Sequence, residues 1–331
     1  MAIFRCNGCG HLREVTNDYV GKSVKCPSCK KPNSVHDTIE FVGKLVTKYL
    51  AQRKELKSFM NEVESPKTAV TPPVGTSKLA NLDLFNTAEL ANQDQTKPII
   101  SWFEQRNIQL EVDYHTIDTR GFFVEVAIQL GENYDTLKFV SNQIKFAQGR
   151  SFNSAKIDLS NKSKKEVIDI DGFCKLLYEY SFVTRCTRDK KENVIWLTLQ
   201  TAASITQYFN GIWAEWFDLM KILTYFSEKQ LQISCLRSLK LKHSNENFNK
   251  LDVFFLVGDI PICIECKSGE YRHDLKKYSS LRKRMKLEKD NFLLFAIDIE
   301  NDQLQAMNNM YDITFVNPHS LVDHVKTLVM N

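Results

Sequence analysis

Residues 251–267, Leu-Asp-Val-Phe-Phe-Leu-Val-Gly-Asp-Ile-Pro-Ile-Cys-Ile-Glu-Cys-Lys, constrain the fold more than any other stretch of the chain. Phe, Val and Ile dominate two short runs with Gly258-Asp259 between them, which predicts a β-hairpin with a two-residue turn. With that pair as the loop, Val257 faces Ile260, and counting back sets Asp252 across from Glu265. Two carboxylates then stand side by side on neighbouring strands. Lys267 lies two residues beyond Glu265 and points to the same face. The flanking positions are apolar on both faces: Val253, Phe255, Val257, Ile262 and Ile264 on one, Phe254, Leu256 and Cys263 on the other. That is the pattern of a buried central strand pair.

Adjacent carboxylates repel, and burying them is costly without a counter-charge. A divalent cation is the usual remedy, and oxygen ligands of this kind suit Mg²⁺ or Mn²⁺, which accept phosphate oxygens as further ligands. Asp252 and Glu265 are the predicted Mg/Mn ligands. Lys267 is placed to orient an attacking water or to stabilise charge growing on phosphorus. The implied chemistry is phosphodiester hydrolysis. The competing reading is a surface hairpin with a Glu265/Lys267 ion pair, and the apolar pattern on both faces weighs against it.

At the N-terminus, Cys6-x2-Cys9 and Cys26-x2-Cys29 are separated by sixteen residues, the spacing of a four-thiolate zinc site with two knuckles. Four thiolates leave no open position, so the zinc is expected to be structural, in a ribbon over 1–37 too small to make a core alone. Arg13, Lys22, Lys25, Lys30 and Lys31 give this ribbon a basic surface. Phosphate contact, docking of a protein partner and a purely structural role all fit it. Residues 38–60 have the apolar spacing of an amphipathic helix, and 61–97, with Pro66, Pro72, Pro73 and Gly75, read as a flexible linker.

Residues 98–200 read as an α+β middle domain. Helices are expected near 99–106 and 137–149, strands near 108–114 and 122–130, and then a helix over 167–180. The charged turn at 188–193 joins two further strands. Helix followed by charged hairpin is the outline of a winged helix, and a generic α+β scaffold fits the same pattern.

From 201 to 331 the predicted order is helix, strand, hairpin, helix, strand, helix, strand, helix. Glu215 lies on the first of these helices among apolar neighbours. Between Tyr271 and Lys289 stand eight Lys/Arg and two acids, with Leu275, Tyr278, Leu281 and Met285 spaced to face inward. Beside a phosphate-cleaving site such a run becomes a backbone cradle, with Arg272, Lys276, Lys277, Arg282 and Arg284 as the candidate nucleic-acid contacts.

Glu215, Asp252, Glu265-Cys266-Lys267 and the basic helix, in this order, resemble a PD-(D/E)xK nuclease core. The surrounding runs, Asn210-Gly-Ile-Trp-Ala-Glu215, Asn249-Lys-Leu-Asp252, Ile264-Glu-Cys-Lys-Ser-Gly269 and Lys277-Tyr-Ser-Ser-Leu-Arg282, are similar to the nuclease domain of CRISPR-ancillary nucleases that join a CARF sensor to this fold. The resemblance covers about the last 130 residues. It implies a restriction-endonuclease-like mixed sheet within an α/β (α+β) multidomain chain. It also implies Glu215, Asp252 and Glu265 as metal-associated acids, Lys267 as the catalytic lysine, and a homodimer acting on DNA, RNA or both with Mg²⁺ or Mn²⁺. Leu251 stands where the motif often has Pro, with no chemical consequence, since proline ligates nothing. The N-terminus shows a ribbon where those relatives carry a nucleotide-sensing domain, so control by cyclic oligonucleotides does not carry over.

The net charge of +4 over 331 residues leaves any nucleic-acid footprint local. No apolar run approaches a membrane span, and the first residues lack the apolar core of a signal peptide. A cytoplasmic chain is expected, with Cys174, Cys186, Cys235, Cys263 and Cys266 as small core residues. Two functions follow: a metal-dependent nuclease, endo- rather than exonucleolytic, of a defence or DNA-processing system, or a non-catalytic nucleic-acid-binding or assembly subunit on a nuclease fold.

Overall fold

The computed structural model describes residues 2–6, 8–9, 11–38, 90, 93–116, 122–242 and 249–330. The predicted helix over 38–60, apart from Thr38, and most of the predicted linker lie outside the described residues. The chain divides into two compact units, Met1–Val74 and Gly75–Asn331.

In the first unit, β1 (Ala2–Arg5), β2 (Leu12–Val15), β3 (Ser23–Lys25) and β4 (Pro32–Asp37) form an antiparallel sheet in the order β2-β1-β4-β3. Among the described residues its buried core is Ala2, Phe4, Cys6, Cys26 and Val35, far too little apolar surface by itself to outweigh the chain entropy of ordering the ribbon.

The second unit is a mixed α/β structure. Its principal sheet has the order β13-β12-β11-β10-β9-β5, from β5 (Gln109–Glu111), β9 (Ile233–Lys242), β10 (Asn249–Val257), β11 (Ile260–Lys267), β12 (Phe292–Ala296) and β13 (Thr314–Val316). The β11, β12 and β13 strands run parallel and the rest antiparallel. Among the described residues the α-helices of this unit are α1 (Gln93–Glu104), α2 (Phe122–Glu132), α3 (Tyr134–Gly149), α4 (Lys164–Glu179), α5 (Ala203–Gln207), α6 (Trp213–Glu228), α7 (Leu275–Arg284), α8 (Asn301–Met310) and α9 (Leu321–Met330). From 201 onward the element order is the predicted one, and the mixed-sheet expectation holds. The remaining strands, β6 (Ser154–Asp158), β7 (Val183–Asp189) and β8 (Val194–Leu199), make a small antiparallel sheet in the order β6-β8-β7, with α4 between β6 and β7 in the chain.

Both faces of the β10/β11 hairpin are covered. Phe254 packs on Trp102 and Phe103 of α1 at ring-centroid distances of 5.1 and 4.9 Å, and Phe255 on Phe226 of α6 at 5.5 Å. Helix α6 is buried along nearly its whole first half, from Trp213 to Met220, so it reads as apolar on every side.

Three expectations are corrected. Residues 122–130 are helical: Val124, Ala127 and Gly131, with Val126 and Leu130, are buried at spacings of three and four, which overrides the alternation and β-branched content that suggested a strand. A Cβ on Gly131 would sit 2.2 Å from the Phe217 ring, so glycine is what lets α2 approach α6. The linker ends before Gln93, where α1 begins. And residue 200 is not a break in the core, which runs from Leu90 to Val325 with β5 paired to β9. Among the described residues no helix is long and apolar enough to cross a membrane.

Candidate active site

The turn at Gly258-Asp259 sets the predicted register, Val257 against Ile260 through Val253 against Ile264, with Gly258 at φ 58°. There the β10/β11 ladder stops, one step short of Asp252 and Glu265. The Asp252 carboxylate instead accepts the backbone N–H of Cys266 at 3.0 Å. On the other side of β10, Asp252 is also skipped in the ladder to β9, opposite Ser238, which holds a left-handed φ of 55°. The strands open at the acids, and a non-glycine residue in this conformation within a strand is strain held by its surroundings.

Glu215 enters from the first turn of α6. Ahead of it, residues Tyr208–Ile212 form a π-helical turn broken at Gly211 (φ 139°), the kind of helix irregularity that recurs at functional sites. A Cβ at Gly211 would come within 3.1 Å of Ser268 Oγ, so the backbone approaches the end of β11 closely. Glu215 is buried and accepts from Arg237 Nη1 at 2.6 Å, Ser238 Oγ at 3.1 Å and Lys250 Nζ at 2.7 Å. Arg237 is itself fixed, with its guanidinium 4.1 Å from the Trp216 ring centre and donating to the Thr116 carbonyl through Nε and Nη2 at 2.9 and 2.6 Å. Lys250 also lies 3.2 Å from Asp252 Oδ1.

Glu215, Asp252, Glu265 and Lys267 line one cavity of about 390 Å³, together with Lys145, Asn210, Gly211, Lys250, Lys277 and Tyr278. Glu265 is 3% exposed and its Oε1 has no hydrogen-bond partner. Burial first, then the charge of Asp252, push its carboxyl well above the usual range, against the pull of Lys267, Lys277 and Lys250. Burial and Asp252 also raise Glu215, while Arg237 and Lys250 act to lower it. Lys250 is raised, the charges of Glu215 and Asp252 outweighing its burial. Behind this layer, Asp218 is completely buried and accepts from Cys266 Sγ at 3.0 Å. Burial drives its carboxyl far up, which favours the protonated form.

A divalent cation fits this donor set. Glu265, with its orphaned buried oxygen, lines the same cavity as Asp252, whose charge raises it, and a lysine ammonium already supplies positive charge to Glu215 and Asp252. The acids are nonetheless not gathered as tightly as the four N-terminal thiols. Those thiols are the group of three or more thiol, imidazole or carboxylate ligands, among the described residues, whose atoms come together, all within 4.8 Å of one another. Cys6 and Cys29 Sγ are 3.3 Å apart and Cys9 and Cys26 Sγ 3.6 Å, close to the roughly 3.8 Å edge of a tetrahedron with metal–sulfur bonds of about 2.3 Å. The Gly8 N–H and the Asn33 side-chain amide each donate to Cys6 Sγ at 3.3 Å.

The basic segment divides. Leu275, Tyr278, Leu281 and Met285 face inward and are buried. Lys276 and Lys277 are exposed, and Lys277 lines the cavity. Arg272 is exposed and paired with Glu270 at 2.9 Å, and Arg284 is exposed. Arg282 belongs to the structure, its side chain 12% exposed, donating to the Leu287 carbonyl at 2.6 Å and to the Asp312 carboxylate. Lys267 lies 3.4 Å from Asp274 and 5.4 Å from the Tyr278 ring centre. The sequence reading missed Lys250, although it alternates onto the Asp252 face. It also missed Arg237, Asp218 and Lys145, which reach the site or its support from other elements and carry no local signal.

No family model matches the chain, and no curated protein does. Solved structures are similar to part of it, two of them as follows. One is protein VC1899 from Vibrio cholerae, at 16% identity and TM-score 0.46, over 70% of this chain and 60% of that one. The other is Can2 from Sulfobacillus thermosulfidooxidans in complex with cyclic tetra-adenylate, at 14% identity and TM-score 0.48, over 70% of this chain and 61% of that one. The match thus spans about three-fifths of either protein's length.

Proposed function

We propose that the chain is a metal-dependent nuclease that hydrolyses phosphodiester bonds of DNA or RNA, acting in defence or nucleic-acid processing. The observation that carries this reading is the Glu265 oxygen left without a partner in a cavity it shares with Asp252, Glu215 and Lys267. Buried polar atoms are almost always satisfied, and this one belongs to a residue lining a cavity in which a cation and a phosphate would fit. Asp252 and Glu265 would hold Mg²⁺ or Mn²⁺, with Glu215 next to them, and the ion would supply Lewis-acid charge to the phosphoryl oxygens. The Cys266 N–H fixes the Asp252 carboxylate, and the Arg237 guanidinium fixes Glu215. Lys267 is the ammonium that stabilises negative charge at phosphorus as the water oxygen bonds to it and the P–O ester bond breaks. Lys276 and Lys277 meet the nucleic-acid backbone. In the N-terminal ribbon Cys6, Cys9, Cys26 and Cys29 hold a structural zinc, and the β6-β8-β7 sheet with α4 serves as a winged-helix-like element.

A second reading, a binding subunit without catalysis, is favoured by Lys250, whose ion pairs with Glu215 and Asp252 satisfy two acids without any metal. One experiment separates them: incubation of the chain and of Asp252→Asn with labelled single- and double-stranded DNA and RNA in Mg²⁺, Mn²⁺ or EDTA. The nuclease reading expects cutting that needs the metal and Asp252. Equal binding by both proteins with no cutting under any condition favours the binding subunit.

A further inference from the structure

Helix α3 reaches the cavity through Lys145, which lines it alongside Glu215 and Lys267. Among the described residues Lys145 has no ion pair with any acid. One residue further, Phe146 is 56% exposed, and so is Phe152 just past the end of the helix. Their rings lie 6.4 Å apart in an edge-to-face arrangement, and the Arg150 guanidinium sits 5.6 Å from the Phe146 ring centre. A helix-ending turn makes the contact: Ser151 takes a left-handed φ of 58°, its N–H donates to Gln148 O at 3.0 Å, and the Phe152 N–H donates to Ala147 O at 2.8 Å. Such turns commonly close with an apolar contact, and a leucine would provide it. They do not require two phenylalanines that remain more than half in water beside an arginine. Isolated exposed apolar side chains are ordinary. Adjacent aromatic faces with basic groups, on the helix whose Lys145 lines the candidate cavity, match the way proteins hold single-stranded nucleic acid, with bases stacked on rings and phosphates met by cations.

We propose that the end of α3 is a single-strand platform, with Lys145 meeting a phosphate next to the cut and Phe146 and Phe152, flanked by Arg150, stacking the bases beyond it. The inference rests on the nuclease reading of the cavity but is tested without cleavage. The full chain in EDTA is titrated into labelled single strands of about 16 nucleotides, dT or rU, and into a duplex of the same length. The Phe146→Leu/Phe152→Leu protein keeps the apolar contact and removes the flat faces; Phe146→Tyr/Phe152→Tyr keeps both. The leucine pair should weaken single-strand binding about tenfold and leave the duplex unchanged, and the tyrosine pair should bind as wild type. Lys145→Gln should lower the salt dependence of single-strand binding by about 0.7 in the log–log slope. The dT and rU arms tell DNA from RNA. The platform is overturned if the wild type does not bind single strands, if the leucine pair binds them unchanged, or if single strand and duplex weaken alike. It is also overturned if the leucine pair changes the oligomeric state by sedimentation with no loss of single-strand binding, since the rings then belong to a contact between copies of the chain. A wild type that cuts nothing with metal present sinks the nuclease reading and leaves these binding results to stand on their own.

Discussion

The four-thiol ribbon and the acid cavity both gather groups whose chemistry suits a cation, and they do it in opposite ways. In the ribbon all ligands are alike, come from two short knuckles, and close around one point. In the cavity they are two or three carboxylates from α6, β10 and β11, interleaved with lysines, with one oxygen left over. A closed set of soft ligands has only a fold to stabilise. An open set of hard ligands, made uneasy by mutual repulsion and burial, has room for a substrate and a reason to take up metal. The cavity gives up stability to keep that room, and the principal sheet, with its large core, can bear the loss. The ribbon, with almost no core, cannot.

The contrast breaks most sharply at the cysteines. Cys6→Ser/Cys9→Ser should lose the one bound zinc per chain and unfold the ribbon, a loss on the order of 10 kcal/mol of metal-coupled folding. Elemental analysis and amide exchange over residues 2–37 check it. The second unit, whose core contains none of these residues, should keep its own melting transition. Next come the two residues to which the proposed nuclease reading assigns the chemistry. Asp252→Asn should reduce cleavage to background while the protein stays folded, and Lys267→Ala should retain metal binding and cut at least about a hundredfold more slowly. Single-turnover rates with Mn²⁺ measure both, and an undiminished rate in either would show that the cavity is not where the bond is broken.

A smaller effect sharpens the energetic side of the comparison. Because the Glu265 carboxyl is raised in the folded chain, the folded state keeps a proton that the unfolded state releases above the ordinary carboxylate range. Metal-free stability should therefore fall as pH rises from about 4.5 towards the raised pKa. Glu265→Gln should flatten part of that fall in urea melts, and Mn²⁺ should oppose it in the wild type by favouring the ionised carboxylate. An identical slope in the Gln variant would assign the pH dependence to other groups. Smallest is Lys250→Ala. Its half-exposed ammonium contributes about 0.5–1 kcal/mol at most to the metal-free protein, and its removal should tighten Mn²⁺ binding several-fold by calorimetry, since it competes for the same acids. Weaker Mn²⁺ binding in this variant would mean that the lysine assists the cation.

How much of this was legible follows from how local each feature is. The Gly258-Asp259 turn sits inside the hairpin it sets, so counting from it predicts the register as far as Val253 and Ile264 and the placing of Asp252 and Glu265 in one cavity, but not the opening of the ladder at the acids. The cysteine pairs are just as local. The 122–130 helix was misread because Val124, Val126 and Ile128 alternate over a short window, and only its packing on α6 shows that the burial repeats every three to four residues. The β6 strand went unseen because Ala155, Ile157 and Leu159 alternate within a run short and polar enough to pass for a loop. Arg237 and Lys145 join the site from far along the chain, and nothing near them in sequence says which way they face.

The outer flank of β9 has a consequence for anyone who would trim this protein. Its free backbone groups are covered by residues 95–116: the Gln95 amide donates to Ile233 O at 2.7 Å, the Thr116 hydroxyl to Arg237 O at 2.9 Å, and β5 pairs with Lys240, Leu241 and Lys242. A fragment cut at residue 201, where the motif-bearing part begins, would carry every acidic residue of the cavity and yet present an uncapped strand edge, the template on which sheets join one another edge to edge. Arg237 would also lose the Thr116 carbonyl that holds it against Glu215. Such a fragment would be an aggregating sheet with a slack acid, and its inactivity would say nothing about the full chain.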